Sequence, residues 1–179
     1  MMSLNEDSRT RSAGFSPEWL ADKSAWLSEQ RSLHGDGCKF FVIAGSLFKF
    51  AQYDYAMGSV AFFNAILGLE KALKLHYRAN EGYLRQLLVR AVEEGIFHDN
   101  LFGELPRLDS ILPDLNSRHG LKKSVSHCTR LAILIPEQRN LYFHGTYLLN
   151  PDYFHLTVQL RTLADALDTR RAYIEGYAR

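Results

Sequence analysis

Arg139, Asn140 and His144 stand within one short stretch, Arg139-Asn140-Leu141-Tyr142-Phe143-His144-Gly145, and together they suit proton transfer beside developing negative charge. An imidazole titrates near ~6.5 and so gives or takes a proton around neutral pH. A guanidinium keeps its charge and offers a planar fork to an oxyanion. An amide can orient the imidazole and help select its tautomer. On a helix, Asn140 and His144 are four positions apart and share a face. Arg139 and His144 are separated by roughly 140° of rotation, so only the length of the arginine lets both head groups border one cleft. The plainer reading makes Arg139 an exposed ion-pair partner and His144 a residue favoured at the negative end of a helix.

Glu70 is a second point of chemical interest. At helical spacing it falls inside the apolar arc of Phe63, Ile66, Leu67 and Tyr77, where a carboxylate needs a partner. Lys74, one turn along, is one candidate. The remaining histidines (His34, His76, His98, His119, His127 and His155) show no metal-ligand spacing, and surface or capping roles are expected for them. Cys38 and Cys128 form no Cys-x-x-Cys pair, so neither a disulfide framework nor a cysteine zinc site is expected. No metal or cofactor is implied.

The 139–145 stretch resembles the signature of the HEPN superfamily, an arginine followed by a polar residue and, after four intervening positions in all, a histidine near a helix end. The surroundings are similar too: a helix reading Gly68-Leu69-Glu70-Lys71-Ala72-Leu73-Lys74, another ending Ala91-Val92-Glu93-Glu94-Gly95, and a last helix after the motif. The resemblance covers about Ala56 to Leu167 and leaves roughly the first fifty residues unmatched. It implies an all-α helical bundle, here with extra N-terminal helices, and a homodimer whose two motifs face one cleft. It further implies a metal-independent endoribonuclease, cytoplasmic, acting as a toxin or phage-defence effector. RNA brings its own nucleophile, the 2′-hydroxyl. Two-fold symmetry supplies one histidine as base and one as acid, with Arg139 on the phosphorane-like transition state. In the resembling fold the helices of Glu70 and Arg139 are neighbours, which makes Arg139 as good a partner for Glu70 as Lys74. Some toxins of the superfamily carry a tyrosine two positions after the histidine that a partner nucleotidyltransferase antitoxin modifies with AMP. Thr146 holds that position here and Tyr147 follows it, so packing or base stacking by Tyr147 stands beside that mode of control. The alternative function is a non-catalytic domain of the same fold that binds nucleotide, RNA or a protein.

The elements that must position these residues follow from the apolar pattern. The 179 residues, 46% hydrophobic and with a formal net charge of +1, suit one domain with one core. Any nucleic acid must therefore be held by a local patch. No helix concentrates Arg and Lys on one face, although Arg85 and Arg90 share a helix, so a helical DNA-binding regulator is disfavoured. Positions 1–14 read as a disordered polar tail and 15–179 as the domain. The polar start, and apolar stretches as short as Phe40–Ala44 and Val60–Phe63, point to the cytoplasm and to no membrane span.

Ser16-Pro17-Glu18 is a helix start, and Trp19, Leu20, Trp26 and Leu27 line that helix as core rather than as a base-stacking platform. The spacing predicts further helices over Phe40–Ala51, from about Asp54 to Arg78, and from an Asn80 cap to a Gly95 stop with Ile96 packing back. Short turns are expected between Asn100 and Gly120. Helix resumes from Leu121 to Ile135, and Pro136 starts a fresh segment that ends at Gly145. Asn150-Pro151-Asp152 caps a final helix with Tyr153, Leu156, Leu160, Leu163, Leu167 and Ile174 on one side.

Overall fold

The computed structural model describes residues 7–29, 35–80, 82–103, 112–122, 124–145 and 152–177. Helix α1 spans Ser8–Ser12, α2 Pro17–Ser28, α3 Gly37–Phe50, α4 Ala56–His76 and α5 Leu84–Glu93. A 3₁₀ turn covers Asp99–Phe102, and α6 Leu112–His119, α7 His127–Phe143 and α8 Asp152–Tyr177 complete the chain. The protein is all-α, with no strand among the described residues.

Helix α4 is the central element, packed against α3 on one side and α8 on another, with α2 on α3 and α5 on α7. Small residues make the closest crossing possible. A Cβ added at Gly37 would lie 2.8 Å from the Gly68 carbonyl oxygen, and one at Gly68 would lie 2.8 Å from the Phe41 ring. Two glycines thus let α3 and α4 approach backbone to backbone. By length and composition α4 would also suffice to cross a membrane, which the shorter apolar stretches of the sequence did not signal. Most of that stretch is buried inside the bundle.

Local chemistry sets the helix ends. The Ser16 side chain accepts from the Trp19 amide at the start of α2. Leu20 and Leu27 are buried, and Trp19 and Trp26 pack half-buried against them, as core. Helix α5 closes as expected: Gly95 (φ +69°) is left-handed, and the Ile96 amide bonds the Ala91 carbonyl at 2.9 Å, leaving Ile96 buried. Its start differs from expectation. Asn80 caps nothing there; α5 begins at Leu84 after Tyr83, with no side-chain cap.

The expected disordered tail needs correction from residue 7 onward. The Asp7 amide bonds the Gln52 carbonyl at 2.7 Å, and buried Thr10 donates its hydroxyl to the Ala51 carbonyl at 2.6 Å. The Arg9 guanidinium and the Tyr55 amide hold the Asp7 carboxyl well below the usual carboxylate range. Asp7 and Thr10 anchor this segment because each finds a backbone partner just past the end of α3.

Arg161 of α8 is fully buried. Its guanidinium donates to the Leu27 carbonyl at 2.8 Å, the Glu29 carbonyl at 3.2 Å and Asp165 Oδ1 at 3.0 Å. It also lies 5.6 Å from the Trp26 ring centroid and 5.3 Å from that of Phe41. One side chain therefore satisfies the orphan carbonyls at the end of α2 and ties α2 and α3 to α8. Along α8, Tyr153, Leu156, Leu160, Leu163 and Leu167 are buried, whereas Ile174 is exposed because the helix has outrun the bundle.

Candidate functional site

Helix α7 carries the motif, and two side chains fix where it starts. Ser126 accepts from the Thr129 amide at 3.1 Å. Asp99, from the 3₁₀ turn, accepts from the His127 and Cys128 amides at 3.0 Å each, a charge well placed at a positive helix end. Burial alone would raise the Asp99 carboxyl, but those amides outweigh it and hold it below its ordinary value. The helix therefore starts at His127, not at Leu121. It also runs unbroken through Pro136, so no fresh segment begins there. Proline withholds one N–H and loosens the ladder without ending the helix.

Before Pro136 the helix is core: Cys128, Leu131, Ala132, Leu134 and Ile135 are buried. After it the helix emerges. Glu137, Gln138 and Arg139 are half-buried, and Asn140, Leu141, Phe143 and His144 are exposed. Tyr142 holds this turn down by stacking on Phe63 of α4, with centroids 4.0 Å apart and planes at 11°. His144 caps the helix with its amide on the Asn140 carbonyl, and Gly145 (φ +72°) follows as the stop.

Arg139 is the anchored member of the set. Its Nε donates to Glu70 Oε2 at 3.0 Å, and its guanidinium lies 4.9 Å from the Phe143 ring centroid. Its Nη atoms make no hydrogen bond to a described residue. Glu70 is also paired with Lys74 through Oε1 at 2.8 Å, so both partners considered from the sequence are engaged at once. Glu70, Tyr83, Arg85, Glu137, Arg139 and Asn140 are among the residues lining an open cleft of about 370 Å³ between α4, α5 and α7.

His144 does not line that cleft. No hydrogen bond joins its ring to the Asn140 amide, so within one chain Asn140 does not orient the imidazole. Nor does any hydrogen bond or ring contact join His144 to Arg139. Tyr147 lies outside the described residues. No protein-family model, curated protein or solved structure matches this chain.

Three histidines depart from the surface or capping roles expected of them. His127 is buried, its Nε2 3.0 Å from Gln159 Oε1 and its ring edge-on to Phe102. His155 packs against Phe15 and Trp19, and burial lowers its pKa. Burial lowers that of His76 as well. His119 does play a surface role, set against Glu137 Oε1. Among the described residues, no group of His, Cys, Asp and Glu is arranged to hold a metal ion.

Two cleft residues escaped the sequence reading. Tyr83 is 79% exposed, and nothing in its type or spacing marked it out. Arg85 drew notice only for sharing a helix with Arg90. What places both beside Arg139 is the packing of α5 on α7, which no local signal encodes.

Proposed function

We propose that this chain is a metal-independent endoribonuclease of the HEPN type that acts as a homodimer, in the cytoplasm, as a toxin or phage-defence effector. The observation that carries this reading is the state of Arg139. Its Nε is held by Glu70 while its Nη atoms bond no described residue, at the wall of an open cleft and five residues before an exposed His144. That arrangement suits a guanidinium that receives phosphate oxygens without having to be ordered at the moment of reaction.

The reaction needs two proton transfers. One histidine takes the proton of the RNA 2′-hydroxyl as its oxygen bonds to phosphorus. A second gives a proton to the departing 5′-oxygen as the phosphorus–oxygen bond breaks. The products are a 2′,3′-cyclic phosphate and a free 5′-hydroxyl. Each chain offers a single exposed histidine at the motif, so the second comes from another copy. The exposed Leu141 and Phe143 (38% and 60%) flank it and give such a pair apolar surface to bury. Asn140 serves to orient the ring of the opposing histidine once the pair has formed.

The purified protein is expected to cleave RNA in a chelator and to leave 2′,3′-cyclic phosphate ends. His144→Ala is expected to lower the rate by about 10²–10⁴, and light scattering at tens of micromolar should give the mass of a dimer. Cleavage that survives His144→Ala at the wild-type rate, or a strictly monomeric protein with full activity, would overturn the reading. Among the described residues no hydrogen bond fixes the His144 ring, and this favours a second reading, RNA or nucleotide binding without cleavage. In that case the same variants would lose binding, with no product at any concentration.

A further inference from the structure

We infer that single-stranded RNA lies across two adjoining hollows, with one base stacked on Tyr83 and the backbone on Lys71, Arg78 and Arg85. This rests on the RNA-cleaving reading of Arg139 and His144 and adds to it the path and the strandedness of the substrate.

The first hollow is the cleft of Tyr83, Arg85 and Arg139. The second, about 630 Å³, is lined by Asp36, Lys71, Lys74, Arg78 and Asn80 among others. The two meet at a shared chain of ion pairs, because Lys74 of the second bonds Glu70 of the first, and Glu70 bonds Arg139. Among the described residues, the carboxylates facing the hollows already have partners: Asp36 pairs with Lys39, Glu70 with Lys74 and Arg139, and Glu137 with Arg118 and, by a hydrogen bond, with the His119 ring. Lys71, Arg78 and Arg85 are exposed and form no ion pair among the described residues. Among the described residues, the unmatched charge along the track is therefore positive, as a phosphate backbone requires.

Two further observations single out residues. Tyr83 is an aromatic ring 79% exposed at the wall of the cleft. Ring faces in such a position stack unpaired bases, which a duplex does not offer. Arg78 has φ +51°, at the end of α4 where Ala79 N–H bonds the Lys74 carbonyl at 2.9 Å. Glycine normally holds that position. An arginine kept there at a conformational cost points to a use for its charge.

The test is fluorescence anisotropy of labelled 12-nucleotide U and A oligomers, and of the same sequence as a duplex, with wild-type protein and with His144→Ala as a non-cleaving background. Tyr83→Ala is expected to weaken single-strand binding about tenfold or more, while Tyr83→Phe keeps it. Lys71→Glu with Arg78→Glu should weaken every sequence alike and flatten the salt dependence by roughly 0.7 per lost contact. Duplex bound as tightly as single strand, unchanged affinity in these variants, or no binding at about 100 µM protein would each overturn the inference. RNA bound through these residues but never cut would leave the inference standing and remove the nuclease reading. Cleavage that depends on His144 and is indifferent to Tyr83, Lys71 and Arg78 would do the reverse. The thermal melt of each variant, all at exposed positions, confirms that it is folded.

Discussion

Glu70 of α4 holds Arg139 of α7 through a 3.0 Å bond from Nε to Oε2 while its other oxygen accepts from Lys74 at 2.8 Å. One nearly buried carboxylate thus holds the guanidinium through Nε at the wall of the cleft that Arg139 lines. Truncating both partners in a double-mutant cycle, Glu70→Ala and Arg139→Ala, is expected to give a coupling of about 1 kcal/mol. Partial exposure of the arginine keeps it that small. Chemical denaturation measures it. Glu70→Gln should also slow RNA cleavage more than it lowers the melting temperature, since the fold retains the Tyr142–Phe63 stack that holds the same turn.

Arg161 carries far more structural weight. Arg161→Met leaves Asp165 and two carbonyls at the end of α2 without their donor, and a loss of about 3–5 kcal/mol is expected. For a chain of this size that lowers the melting temperature by on the order of 10 °C. Arg161→Lys should recover little, because a single ammonium cannot fork between Leu27, Glu29 and Asp165. A melt of Arg161→Met within a degree of wild type would contradict this.

Arg78 is expected to separate stability from binding. Arg78→Gly relieves a left-handed arginine and should raise stability by about 1 kcal/mol, or roughly 2–4 °C in the melt. The same substitution should weaken binding of single-stranded RNA. A variant that is both more stable and equally tight would leave Arg78 without a role in recognition.

The two cysteines should react differently. Burial, with the Asp99 carboxylate beside it, pushes the Cys128 thiol up to about 12, whereas Cys38 is half-buried. Titration with a thiol reagent at about pH 8 should find one reactive thiol in the native protein and both after denaturation. Two fast-reacting thiols in the native state would mean that α7 opens readily at its start.

Acid should destabilise the fold before the carboxylates titrate. Burial lowers the pKa of His155 and of His76 from the ordinary 6.5. Below that value the unfolded chain binds more protons than the folded one, until the lowered values are passed, so stability falls as pH falls. Melts between pH 7 and 5 should decline, and the decline should flatten in His155→Gln with His76→Gln. An unchanged slope in that double variant would assign the loss to other groups.

The sequence by itself determined the helical class and most helix ends, because these are local properties. Ser16 and Pro17 start α2, Gly95 and Ile96 close α5, and Gly145 stops α7 through hydrogen bonds only a few residues long. It also brought Glu70, Arg139, Asn140 and His144 forward, since residue type and spacing are visible in one dimension. It misjudged the segments whose partners are distant. Residues 7–14 looked like a polar tail because the carbonyl of Ala51 and the amide of Tyr55 lie more than forty positions away. The start of α7 was misplaced because Asp99 caps it from 28 positions upstream. Pro136 read as a boundary because the packing that carries the helix through it is not local. Only the tertiary structure decided between Lys74 and Arg139 as partners of Glu70, and its answer was both: one lies on the same helix, the other 69 positions along the chain. It alone set Tyr83 and Arg85 beside that pair, because a cleft belongs to three helices at once and no single stretch of sequence contains it.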